Sequence, residues 1–432
     1  MKKLVLLLLS LSLTACVVSV SDNSRPSSQQ QKPEVVIDNK QGFSEQRLLR
    51  INTKMQEYID QGKLAGIMTL VARNDETVHF AAQGMQDLAA GKPMQRDTIF
   101  RIYSMSKPIT TVAALTLWEQ GKFHMNDPIA WYLPEFANMK VYVSGSGEDM
   151  ILEDAKSPIR IIDLFTHTAG FSYGFSGSEV DKLYRASPMM QGKTQPENVL
   201  SELAKLPLNH QPGTQWNYGV STDVIGFLVE KLSGMKLGDY VEQEILEPLG
   251  MLDTGFYVPA DKAHRLAEIY TMNKSRSTVV MENEPLGDYL QNPAVHNGGA
   301  GMVSTMDDYL IFARMLLNDG EFDGVRILGR KTVEYMRSNH LPESMLPYSS
   351  GAPGQGFGLA MSVSMDPSQM LHMASAGNFG WAGLASTYFR IDPVENMIII
   401  GMAQFIPSGT YRYTDDLRNL SYQALIDSSN KE

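Results

Sequence analysis

Strand-like segments crowd the two ends of this chain and leave its middle to helices, which constrains the fold more than any other feature. Residues 67–73 and 77–83 are apolar, β-branched runs around Asn74-Asp75-Glu76, the pattern of a hairpin. Residues 358–365, 385–392 and 396–404 read as three more strands, the last pair turned by Asp392-Pro393-Val394-Glu395. Helices flank both groups. Leu48, Ile51, Met55 and Tyr58 recur at helical spacing up to Gly62, and Leu417, Leu420 and Ala424 do so within 414–426. Strands from the two ends can satisfy one another, so the expected class is α+β: one antiparallel sheet from N- and C-terminal segments, flanked by terminal helices. Between them, 109–120, 159–166, 196–205, 222–232, 238–246 and 306–318 read as helices separated by polar loops. The expected division of a 43–428 domain is about 43–105 and 290–428 for the α/β part and about 106–289 for a mostly helical insertion. A crevice should form where the two parts meet.

Composition removes several function classes. At 432 residues, 43% apolar and 20% charged, the chain can bury a sizeable core. Its 37 basic and 48 acidic residues give a net charge of −11, and no Lys/Arg run carries interleaved aromatics, so no nucleic-acid or anionic-lipid partner is expected. The eight histidines are scattered, with no His-x-x-x-His and no acid at ligand spacing, so no metal is implied and His167 and His372 read as structural. No Gly-rich loop follows a strand, and no cofactor is expected.

The first residues address the protein. Lys2 and Lys3 precede an apolar run through Leu13 and then Thr14-Ala15-Cys16, the pattern of a secretory signal peptide over 1–15. Leu13-Thr14-Ala15-Cys16 also resembles the bacterial lipobox, which implies a lipid on Cys16 and a membrane anchor. Cys16 is the only cysteine, so no disulfide forms within the chain. Val17 after it, in place of an aspartate, implies the outer membrane of a two-membrane bacterium, facing the periplasm. Residues 17–42 read as a disordered tether, roughly 28 Å in r.m.s. span for ~25 flexible residues.

The chemistry begins at Ser104-Met105-Ser106-Lys107. Side chains at i and i+3 share one face of a helix, so Lys107 can sit beside the Ser104 hydroxyl and relieve it of its proton. A second segment, 212–223, carries Trp216, Tyr218 and Val220 into a helix capped by Ser221 or Thr222. Its phenol can face a crevice or close on a backbone carbonyl in the core. A third, Gly380-Trp381-Ala382-Gly383-Leu384-Ala385, has small residues that let backbone approach a ligand closely. Gly170-Phe171-Ser172-Tyr173-Gly174 matches the nucleophile elbow Gly-x-Ser-x-Gly, but a helix-like stretch precedes it where an elbow needs a buried strand. Asp127 and Asp223 read as turn and cap residues.

Together and in order, these segments resemble the serine β-lactamase and DD-peptidase superfamily, in the class C-like branch that contains the family VIII carboxylesterases. Residues 164–170, 298–305 and Asp392-Pro393 are typical of that branch too. The resemblance implies that Ser104 is the nucleophile, that Lys107 and Tyr218 share the general acid and base roles, and that water hydrolyses an acyl-enzyme. It also implies an oxyanion donor in the backbone at Leu384, beside the N–H of Ser104. Two departures bear on the substrate. Relatives that cut amides have Tyr-x-Asn where this chain has Tyr218-Gly219-Val220, and valine cannot hold an amide. They have Lys-Thr-Gly where this chain has Trp381-Ala382-Gly383, which replaces a carboxylate-gripping cation with an aromatic wall. Trp381, Gly383 and Val220 are therefore expected to contact an uncharged small-molecule ester. A β-lactamase, D-peptide peptidase or acyltransferase of the same superfamily stays open, as does a non-catalytic envelope binding lipoprotein. Oligomeric state is not legible.

Overall fold

The computed structural model describes residues 34–37, 41–348 and 351–427, so Cys16 and the expected signal peptide lie outside the described residues. Strand β1, Glu34–Ile37, falls in the stretch expected to be a tether, yet it pairs antiparallel along a later strand. The ordered chain therefore begins before Phe43.

Helix α1, Glu45–Asp60, forms where four apolar residues share one face, and all four are buried. The expected hairpin follows as β2, Gly66–Arg73, and β3, Glu76–Asp87. Its two-residue turn places Asn74 at φ 51° and Asp75 at φ 63°, the left-handed pair that a type I′ hairpin requires and that Asn and Asp tolerate. Four helices of the middle bear on the site: α2, Ser106–Glu119, α3, Ile161–Phe165, α4, Ser221–Ser233, and α5, Met306–Leu317. The C-terminal strands are β4, Gln355–Phe357, β5, Ser362–Ser364, β6, Phe379–Ala382, β7, Thr387–Asp392, and β8, Met397–Met402, before helix α6, Tyr413–Tyr422.

These strands make one antiparallel sheet in the order β1-β3-β2-β8-β7-β6-β5-β4. The chain ends join where β2 pairs with β8, from Arg73 opposite Met397 to Met68 opposite Met402. Every residue of β2 is buried, which follows from cover on both faces. Ile67 and Val71 enter a core with Leu48, Ile51, Tyr413 and Leu417 of the terminal helices, while Met68, Leu70 and Ala72 enter a second with Ile109, Val112 and Tyr309 of α2 and α5.

Two expectations change in detail. The single strand read over 358–365 is the end of a hairpin: Phe357 pairs with Ser362, and the chain reverses between them with Ala360 at φ 60°. The region 106–289 also holds two small strand pairs, Lys140–Ser144 with Ile151–Asp154 and Tyr270–Met272 with Thr278–Val280.

Candidate active site

Ser104 sits just before its helix. Tyr103–Met105 is a 3-10 turn, and α2 begins at Ser106. Side chains at i and i+3 eclipse in such a turn, so Lys107 still reaches the hydroxyl. Tyr103, at φ 42°, enters the turn in the left-handed region, a strained conformation for an aromatic residue. The first hydrogen bond of the turn runs from Met105 N–H to the Ile102 carbonyl at 3.0 Å, which leaves the preceding N–H of Ser104 for a ligand.

Lys107 is fully buried, and its Nζ donates to Ser104 Oγ at 3.2 Å and to the Gly299 carbonyl at 2.7 Å. The same nitrogen lies 4.7 Å from the ring centroid of Tyr218 and 5.0 Å from that of Tyr173, and these π faces offset part of the cost of burying the charge. From 114 residues away in the chain, the Tyr218 hydroxyl donates to Ser104 Oγ at 2.7 Å. One serine oxygen thus meets two groups, an amine and a phenol, each able to exchange a proton with it. His167 packs behind them, 4.9 Å from the Tyr218 ring, and burial together with the Lys107 charge pushes its imidazole well below the ordinary range. It is neutral there and serves as packing.

The segment that receives the ammonium is bound to α2 at two points. Thr110 Oγ1 donates to the Gly298 carbonyl at 2.7 Å, and Met302 N–H donates to Ser106 Oγ at 3.1 Å. A Cβ on Gly299 would stand 2.4 Å from the Tyr173 hydroxyl and 2.6 Å from Asp223 Oδ2, so any larger residue would push these two groups aside. Asp223 does not cap α4 as expected. Its two oxygens accept from Gly299 N–H and from the Tyr173 hydroxyl, each at 3.0 Å. Burial raises its carboxyl above the usual range, opposed first by the charge of Lys107 and then by the Gly299 N–H.

The third motif forms the opposite wall. Trp381 Nε1 donates to the Tyr218 hydroxyl at 3.4 Å, with ring centroids 5.7 Å apart. At the end of β6, a Cβ on Gly383 would fall 2.4 Å from the Ile102 carbonyl and 2.2 Å from Thr387 Oγ1. The strand end is thereby pressed on the turn that carries Ser104. The next N–H, that of Leu384, has no acceptor among the described residues, while its carbonyl accepts from Ser408 at 2.9 Å. Val220, only 4% exposed, lines the same cleft as Ser104, Trp381, Gly383 and Leu384.

That cleft encloses about 1890 Å³, above the ~300–1,000 Å³ of an ordinary small-molecule site. Phe175, Trp216 and Tyr173 add aromatic surface to it. One guanidinium also lines it: Arg390, 7% exposed, donates to the Ser362 carbonyl at 3.2 Å. Among the described residues no His, Cys, Asp or Glu cluster could hold a metal ion, and no helix is long and apolar enough to cross a membrane.

Ser172, the alternative serine, is buried in a loop, where its hydroxyl donates to Asp181 and accepts from Gly174 N–H at 2.9 Å. It holds a turn together and follows no strand. Asp127 behaves as read, accepting from His124 N–H at 2.8 Å and the Tyr132 hydroxyl at 2.7 Å. Sequence reasoning missed Tyr173, Asp223 and Gly299 as one unit. The available signal was an acid in the first turn of a helix and a double glycine, 76 residues apart.

Fold and site define a serine hydrolase with an esterase-like character. A family model described as Beta-lactamase matches residues 51–423, and the chain belongs to that family. It is similar to Protein Rv1367c of Mycobacterium tuberculosis, 38% identical over 362 residues that cover 82% of this chain and 89% of that one. It is also similar to Esterase EstB of Burkholderia gladioli, 28% identical over 381 residues, 81% of this chain and 88% of that one. Among solved structures, EstCE1, a hydrolase with promiscuous acyltransferase activity, matches with a TM-score of 0.75 and 28% identity over 87% of this chain and 99% of that chain.

Proposed function

We propose that this protein is a carboxylesterase that cleaves small or medium esters with an apolar acyl or alcohol group through an acyl-serine intermediate. The observation that carries this reading is Ser104 Oγ held by Lys107 Nζ at 3.2 Å and by the Tyr218 hydroxyl at 2.7 Å beneath the Trp381 indole. Ser104 attacks the ester carbonyl while its proton passes to Lys107 or Tyr218, and the N–H groups of Ser104 and Leu384 receive the oxyanion. Collapse expels the alkoxide, which takes the proton back, and a water activated by the same pair releases the acid. Val220 has no polar group to hold a substrate amide, and Trp381 offers no charge to a substrate carboxylate while its indole N–H is directed at the Tyr218 hydroxyl, which favours esters. The esterase names of two relatives support the same choice.

A panel of p-nitrophenyl esters, a chromogenic cephalosporin and a D-Ala-D-Ala peptide tests this reading. Ester turnover should exceed the other two by at least about 100-fold, a difference of roughly 2.7 kcal/mol in the barrier. Efficient amide turnover without ester turnover would sink it. We propose as well that Cys16 carries a lipid in an exported, membrane-anchored form, on the strength of Leu13-Thr14-Ala15-Cys16. A Cys16→Ser variant should then leave the membrane fraction, and its retention there would count against the anchor.

A further inference from the structure

The buried ammonium of Lys107 touches no acid directly. Its strong acceptor is the carbonyl of Gly299, and the N–H of that same residue is held by Asp223. Around the ammonium stand Ser104 from its own turn, Tyr218 from the turn before α4, Tyr173 and His167 from the segment after α3, and Asp223 from α4. Of these, His167 is neutral and both phenols present their ring faces, so Asp223 is the one acid whose titration responds to Lys107.

We propose that Asp223 is a positioning residue for the reaction: it holds Gly299 by its N–H while the carbonyl of the same residue takes Lys107, and it supplies the counter-charge to that ammonium across this residue. The assignment rests on the serine-hydrolase reading above, since it concerns the proton traffic at Ser104. Three observations carry it. The N-cap of α4 is Val220, with no side-chain bond, and beyond a contact with its own first-turn N–H the Asp223 carboxylate is directed away from the helix. Its oxygens instead divide between the Gly299 N–H and the hydroxyl of Tyr173, the ring over which the ammonium lies. The approach is close enough that a Cβ at 299 would displace both the Asp223 carboxylate and the Tyr173 hydroxyl. A carboxylate bonded to one end of a residue whose other end accepts from the ammonium limits how far that segment can move away from Lys107.

Removing the charge has a definite sign. An ammonium is less favoured without a nearby anion. Whichever limb of the pH profile depends on that ammonium must then move to lower pH. A residue that only held the loop together would lower the rate without moving the limb.

The test measures the pH dependence of Ser104 labelling by a fluorophosphonate, beside kcat/KM on p-nitrophenyl butyrate, for wild type, Asp223→Asn and Tyr173→Phe. Labelling needs no ester specificity, so a wrong substrate class leaves this readout intact. A wild type that labels but does not turn over esters refutes the carboxylesterase reading and not the role of Asp223. Asp223→Asn should label and turn over about 10- to 100-fold more slowly, with KM within about threefold and the limb shifted to lower pH. Tyr173→Phe keeps the ring against Lys107 and removes only the bond to Asp223, so it should shift the profile in the same direction as Asp223 protonates more readily. If Asp223→Asn does not fold, Tyr173→Phe decides alone. A profile that falls in height without moving, or rates within about twofold of wild type, would overturn the assignment.

Discussion

Gly383→Ala tests how the strand end completes the oxyanion site. The added Cβ would lie 2.4 Å from the backbone oxygen of Ile102, and an ordinary contact needs about 3.4 Å, so the end of β6 must retreat by ~1 Å. Thr387 cannot absorb the clash alone, because its hydroxyl, 2.2 Å from that Cβ, is itself bonded to Ile102 at 3.3 Å. The Leu384 N–H follows Gly383 and moves with it. A donor shifted from about 2.9 to about 3.9 Å no longer makes a hydrogen bond. Loss of one of two oxyanion donors costs about 10²- to 10³-fold in kcat, roughly 2.7–4 kcal/mol, while KM should stay within a few-fold because the ground-state carbonyl depends on it little. Overpacking should lower stability by a further ~1–3 kcal/mol. Steady-state kinetics on p-nitrophenyl butyrate, with a urea midpoint for the same preparation, separates the two effects. A variant with kcat within about fivefold of wild type would refute the placement of the oxyanion donor at Leu384.

The remaining predictions concern the phenol and a buried histidine. Tyr218→Phe keeps the ring contacts with Lys107 and Trp381 and deletes the bond to Ser104 Oγ, so kcat should fall about 10²- to 10⁴-fold with KM nearly unchanged. His79 is fully buried in β3, shares its Nε2 with Thr69 Oγ1 at 2.9 Å, and is pushed down to about 3 by burial. Its folded-state value lies below the unfolded 6.5, so the unfolded chain binds the extra proton and stability falls as pH drops below that value. The expected loss is about 1.4 kcal/mol per pH unit, or about 2 kcal/mol between pH 7 and pH 5. Urea midpoints for wild type and His79→Gln at both pH values should show that loss in wild type and a smaller one in the variant.

What the sequence made legible was local or periodic. The β2 strand follows from a short unbroken apolar run and the α1 stripe from a period of 3.6 residues, and the pairing of β2 with β8 follows from the need of two sets of strands for partners. The reversal at Ala360 was not legible, because alanine at φ 60° carries none of the turn chemistry that glycine or asparagine would show. By contrast β1, Glu34-Val35-Val36-Ile37, carried a β-branched signal, but the run is short, sits among polar residues, and finds its partner only at the edge of β3. Ser104 and Lys107 were readable from a spacing that survives the change from α to 3-10 turn. Tyr218 needed the family resemblance, since only the fold closes 114 residues of chain. Asp223 was readable only as a cap, because a first-turn acid looks the same whether it serves its own backbone or the N–H of Gly299.

The identity of the nucleophile is tested most directly by intact mass and peptide mapping after reaction with a fluorophosphonate. The wild type should gain one adduct, mapped to the peptide that contains Ser104. Ser104→Ala should gain none, and Ser172→Ala should be labelled like wild type. An adduct on Ser172, or no adduct on folded wild-type protein, would contradict the account.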